Sequence, residues 1–149
     1  MGRRFGGDAP GKIPGPVILA DTSAWIEFFR RSEKPADLAL THLLEEGTEL
    51  GTSEVVVMEV LAGARSEHDR ARMRSLLMTL PLLTLRGLAD FEEAALIYRA
   101  CRSAGETVRT LTDCLIAVPA IRAGAQVLHN DADFDAIARH TPLQIYSMA

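Results

Sequence analysis

Short apolar runs alternating with stretches of helical period are the feature that most constrains this chain. "VILA" (17–20), "LGTS" (50–53), "LLTL" (82–85), "AQVLHN" (125–130) and "LQIY" (143–146) have the length and residue types of strands. Between them lie helical patterns. "SAWIEFFRR" carries Trp25, Ile26, Phe28 and Phe29 around its first turns, and "ADLALTHLLEEG" places Leu40, Leu43 and Leu44 on one face and stops at Gly47. "EVVVMEVLAGA" is rich in valine, which favours strands, but its length, Ser53 before it and Gly63 after it favour a helix. Further helices are expected from Glu67 to Leu80, ended by Pro81, from Leu88 to Ala104, over "TDCLIAVPAIRAG", and over "DFDAIARH". Pro119 removes a backbone donor and should kink its helix a turn past Asp113. Strands interleaved with helices imply an α/β fold, a central parallel sheet with helices on both faces, in which ligands bind beyond the carboxyl ends of the strands.

A length of 149 residues, 48% of them hydrophobic, suits one domain with a sizeable core. The first sixteen residues hold five Gly and three Pro without any apolar period, so 1–16 are expected to be a flexible extension and 17–149 the folded domain. No apolar run approaches the roughly eighteen residues of a membrane span, and no secretory signal core is present, so a soluble, cytoplasmic protein is expected. Cys101 and Cys114 are too few for a disulfide framework and read as buried, reduced thiols.

The acids carry the chemistry. Asp21 follows the first strand directly, and Asp131 and Asp133 follow "AQVLHN"; in a parallel sheet both loops emerge at the same edge. Glu59 and Asp113 each interrupt an apolar helical stretch, where an acid is costly unless exposed, paired or bound to a cation. Each has an ordinary structural use when taken singly: Asp21, Asp131 or Asp133 as a helix cap, Asp113 as partner of Thr110 in a capping box, Glu59 on a solvent edge. Taken together they point to one site. Two carboxylates about 4 Å apart repel by roughly 4 kcal/mol at an effective dielectric of 20, so a converging set needs a cation. Oxygen donors without Cys or His select Mg²⁺ or Mn²⁺ over zinc. Such ions polarise phosphoryl oxygens and activate water, which is the chemistry of phosphodiester hydrolysis.

Other motifs fail. "DADFDAIARHTP" opens with calcium-loop spacing, but Ala136 replaces the required Gly and Pro142 the bidentate Glu. No phosphate-cradling Gly loop is present. A net charge of −4 argues against gripping nucleic acid by bulk charge, yet fourteen of the sixteen basic residues are Arg, whose planar fork suits phosphate.

"LADTSAW", "MEVLAGA", "TDCLIA" and "HNDADFDAIA" resemble, in order and spacing, the four acidic motifs of PIN-domain ribonucleases, in particular the VapC toxins of bacterial toxin–antitoxin pairs, over about Val17 to Tyr146. The resemblance implies a PIN-like fold and an Mg²⁺- or Mn²⁺-dependent endoribonuclease that cleaves structured RNA, transfer or ribosomal, and stops translation. It also implies a VapB-type antitoxin seated in the active-site groove, and a homodimer. Asp21, Glu59, Asp113 and Asp131 match the metal-binding and catalytic acids, with Asp133 in support or capping the following helix. Thr22 and Ser23 match the small hydroxyl residues after the first acid, expected to hydrogen-bond the carboxylates or a metal-bound water. Arg65, Arg72, Arg109 and His129 are the candidates to touch RNA. A non-catalytic PIN-like binding module and a structure-specific DNA nuclease are the alternatives.

Overall fold

The computed structural model describes residues 17–148; the expected flexible extension, 1–16, lies outside the described residues. Among the described residues four strands form one all-parallel sheet: β1 (Ile18–Ala20), β2 (Leu50–Gly51), β3 (Gln126–Leu128) and β4 (Gln144–Ile145), in the order β2-β1-β3-β4. Ile18 pairs with Leu50 and Gln126, and Gln126 with Gln144, so the strands run in step. The helices of the described residues are α1 (Thr22–Arg30), α2 (Pro35–Glu46), α3 (Glu54–Ala62), α4 (Glu67–Leu77), α5 (Leu88–Ser103), α6 (Leu111–Ala123) and α7 (Ala132–His140).

From β1 the chain moves one way along the sheet, to β2, and from β3 the other way, to β4. Right-handed crossovers put those two connections on opposite faces. Accordingly α1 packs on α2, while α5, α6 and α7 form a second group. Between them the core is filled by Leu19 and Val127 of the sheet with Trp25, Leu40, Ile116, Phe134 and Ile137 of the helices, all at 0% exposure. Within α1, Trp25 stacks on Phe29 and meets Phe28 edge to face, so the three rings form one aromatic cluster on that helix.

Two expectations are corrected. "LLTL" is not a strand: it makes one isolated bridge, Thr52 to Leu82, through hydrogen bonds of Thr52 N–H to Pro81 O and Leu83 N–H to Thr52 O. Pro81 can donate nothing to a ladder, so pairing stops at that single bridge. Helix α4 ends at Leu77 and not Leu80, because Thr79 turns its hydroxyl back onto Leu76 O at 2.7 Å and the chain tightens into a turn before Pro81. Helix α6 is continuous through Pro119 and ends at Gly124 in the left-handed region, φ 64°.

An ion pair between the buried Asp90 and the half-buried Arg122 pins α5 to α6 at the end away from Asp113. Arg122 donates to Asp90 Oδ1 and, at 3.3 Å, to Thr84 O, while Asp90 Oδ2 accepts the Arg86 N–H at 2.7 Å. Burial pushes the Asp90 carboxyl up, but Arg122 and the Arg86 N–H outweigh it and hold it below the usual range.

Candidate active site

The sheet order reverses direction between β1 and β3, which makes the crevice beyond their carboxyl ends the switch point where α/β proteins place ligands. Asp21 leaves β1 there, its N–H still bonded to Leu128 O of β3 at 2.9 Å. It caps α1: Oδ2 accepts the Ser23 N–H at 3.0 Å and the Ser23 hydroxyl at 2.7 Å. The same hydroxyl accepts the Asn130 N–H at 2.8 Å. Ser23 thus ties the loop after β1 to the loop after β3. Asp21 is 2% exposed and its Oδ1 has no partner. Burial, outweighing the Ser23 bonds, raises its carboxyl above the ordinary value.

Helix α6 brings in Asp113. One carboxylate oxygen each from Asp113, Asp131 and Asp133 lie within 4.8 Å of one another. Asp113 is buried, its Oδ2 has no partner, and its carboxyl is pushed up to about 8, first by burial and then by the charges of Asp21, Asp131 and Asp133. The N-cap residue Thr110 makes no side-chain cap bond, so Asp113 belongs to no capping box. Asp131, and not Asp133, caps α7: its Oδ1 accepts the Asp133 N–H at 3.0 Å. Asp133 Oδ2 accepts the Arg109 N–H at 3.1 Å.

Glu59 stands apart from the three aspartates. Thr22 donates its hydroxyl to Glu59 Oε1 at 2.6 Å, and the charge of Glu59 is felt at Asp21. Neighbouring hydroxyl residues on one helix therefore hold two acids, Ser23 the first and Thr22 the second. In Thr22→Val the fold should persist, with stability changed by about 1 kcal/mol, while Glu59 loses its anchor and any cleavage that depends on its placement falls roughly tenfold. Comparing the melting temperature with the cleavage rate separates the two effects.

The RNA candidates are scattered. His129 is buried, its Nδ1 accepts the Asp131 N–H at 3.0 Å, and its ring lies against Phe134, so it shapes the loop that carries Asp131. Arg65 and Arg72 line a groove of about 410 Å³ with Ile26, Phe29, Glu59 and Met73. Arg72 lies over the Phe29 ring at 5.5 Å. Arg109 lies on the acids themselves, donating to Asp131 Oδ1 at 2.7 Å and to Asp133 Oδ2 at 3.2 Å. The Ser23 link to Asn130 and the Arg109 clamp join residues distant in the chain, and no local pattern signals either.

The donor set suits a hard divalent cation: all oxygens, three in reach of one another, two buried oxygens without partners, and in Asp113 a carboxyl that burial and like charge push upward for want of a positive neighbour. Fold and site together define an α/β protein with an acidic centre at the sheet's switch point. The family model described as "PIN domain" matches residues 18–140. Ribonuclease VapC11 of Mycobacterium tuberculosis is 48% identical over 132 residues, covering 88% of this chain and 98% of that protein. VapC ribonuclease Mb1587 of Mycobacterium bovis shows the same identity and coverage. The chain belongs to the PIN-domain family and, within it, groups with the VapC ribonucleases of toxin–antitoxin systems. The same fold occurs in the structure of VapBC2 from Rickettsia felis bound to a promoter DNA fragment (TM-score 0.67, 14% identity, 87% of this chain and 97% of that one). It occurs also in DNA-bound VapBC from Salmonella typhimurium (TM-score 0.66, 18% identity, 91% and 100%). Among the described residues no helix is long and apolar enough to cross a membrane.

Proposed function

We propose that the protein is the toxin of a toxin–antitoxin pair, an Mg²⁺- or Mn²⁺-dependent endoribonuclease that cuts structured RNA, transfer or ribosomal, and so stops translation in the cytoplasm. The observation that carries this reading is the acidic centre at the switch point, where Asp113 is buried beside three other carboxylates with one oxygen unpartnered. A divalent cation held by Asp113, Asp131 and Asp133, with Asp21 behind them, would polarise a phosphoryl oxygen and acidify a water.

The chain does the rest. Ser23 aims Asp21, Thr22 aims Glu59, and His129 fixes the loop of Asp131. Glu59, with Oε1 engaged by Thr22, orients the attacking water and receives its proton at Oε2. Arg65 and Arg72 hold the RNA backbone along the groove that reaches Glu59. That groove also receives a segment of a VapB-type antitoxin, a reading supported by the relatives' occurrence as VapBC complexes. The working form is a homodimer of the 17–149 domain.

The test is incubation of purified, antitoxin-free protein with total cellular RNA, with Mg²⁺ or Mn²⁺, with chelator, and with an Asp113→Asn control, mapping new 5′ ends by sequencing. Discrete ends that require both metal and Asp113 are expected. Their absence, from folded and inhibitor-free protein, would overturn the reading, and parallel DNA substrates would then separate a DNA nuclease from a binding module.

A further inference from the structure

Arg109 occupies an unusual place for a residue expected to meet RNA. Its guanidinium spans two of the three clustered aspartates: the terminal nitrogen lies 2.7 Å from Asp131 Oδ1 and Nε lies 3.2 Å from Asp133 Oδ2. The side chain is nonetheless 70% exposed. It is held at its tip by the acids and is otherwise in solvent. Its backbone N–H is bonded separately to Asp133 Oδ2, at 3.1 Å. The loop would stay attached if the guanidinium left.

We propose that Arg109 is the internal counter-cation of the acidic centre: its guanidinium neutralises Asp131 and Asp133 in the metal-free protein and gives up those oxygens when a divalent cation binds. Cation binding is then an exchange, one monovalent group out and one divalent ion in. The inference rests on the reading of the site as a metal centre and deepens it.

Three observations favour exchange over a permanent clamp. The oxygens that Arg109 takes belong to the same group of residues whose donors lie within 4.8 Å of one another, so guanidinium and ion compete for one space. Arg109 leaves Asp113 untouched, with Oδ2 unpartnered, so the clamp neutralises only part of the cluster. The Arg109 side chain is 70% exposed and screened by water, so its hold on the two carboxylates is weak beside that of a divalent ion at three. Once released, the guanidinium sits at the rim of the cluster, with its planar fork available to a phosphodiester.

The test uses the full chain and Mn²⁺ alone as probe, by isothermal titration calorimetry, on the wild type, Arg109→Gln and Arg109→Lys. Loss of the competitor should tighten Mn²⁺ binding by roughly three- to tenfold in Arg109→Gln, and Arg109→Lys should fall between it and the wild type. In the wild type the ¹⁵N–¹H signal of the Arg109 Nε should shift on adding diamagnetic Mg²⁺. Mn²⁺ binding no tighter in Arg109→Gln than in the wild type, from proteins with matching near-UV spectra, would overturn the exchange while leaving the reading of the site as a metal centre standing. No binding by any of the three would overturn both the exchange and the metal dependence.

Discussion

Replacing Asp113 with asparagine should raise the melting temperature of the metal-free protein while lowering RNA cleavage by roughly a thousandfold. The sign follows from the carboxyl, pushed from 3.8 to about 8 by burial and by Asp21, Asp131 and Asp133. A group whose native value lies above its unfolded one keeps its proton in the folded state after the unfolded chain has released it. Its contribution to stability is therefore fully present below about pH 4 and is lost as the pH rises towards 8. At pH 7.5 in chelator the wild type carries this penalty and Asp113→Asn does not. We expect the variant to gain about 2 kcal/mol, or ~5 °C, and to lose the downward slope of stability between pH 5 and 8. Saturating Mg²⁺ should narrow or reverse the order, since the cation relieves the repulsion only where the ligand remains. Thermal melts over that pH range, with and without Mg²⁺, decide it; a variant that melts lower in chelator and still cuts RNA would contradict the metal-centre reading.

The second large effect lies at the opposite end of α6. Arg122→Ala removes the partner of Asp90, which is 4% exposed and keeps only the Arg86 N–H. An uncompensated buried carboxylate is strongly destabilising, and a loss of about 3 kcal/mol, or ~8 °C, is expected. Asp90 titrates below its ordinary value, so the stability of the pair is present above about pH 4 and disappears as the pH falls through the lower native value. The deficit of Arg122→Ala should accordingly shrink in acid. Replacing both partners, as in Asp90→Leu with Arg122→Met, should recover most of the loss, because a buried pair exchanged for apolar packing is close to neutral. Cleavage per folded molecule at low temperature should be unchanged in both variants. Denaturant melts at pH 7.5 and pH 3.5, beside a cleavage assay, separate the two measures.

These two ends of one helix show what is legible in a sequence of this kind. Periodicity, caps and stops are local, so the helices emerged with their capping residues, Ser53 before α3 and Gly47 and Gly124 after α2 and α6. Asp21 and Asp131 stand out in the sequence because strand ends in a parallel sheet share an edge, and Glu59 and Asp113 because each interrupts an apolar helical stretch. Pairings across the chain were not. Nothing near Thr22 announces that its hydroxyl meets Glu59, and nothing near Arg109 announces Asp131 and Asp133. The choice of Asp131 as the cap of α7 depends on one rotamer that residue spacing leaves open. "LLTL" has the composition of a strand, while its single bridge is decided by the proline before it.

The hydroxyl of Ser23 joins an N-terminal loop to a peptide N–H 107 residues later. During synthesis, therefore, the ribosome releases Asp21 and Glu59 long before the aspartates that complete their site. A nascent chain presents two harmless carboxylates until β3 pairs with β1 and α7 settles beside them. The acidic centre is therefore incomplete for most of the time the chain spends on the ribosome, and it closes only when the last fifth of the sequence has emerged.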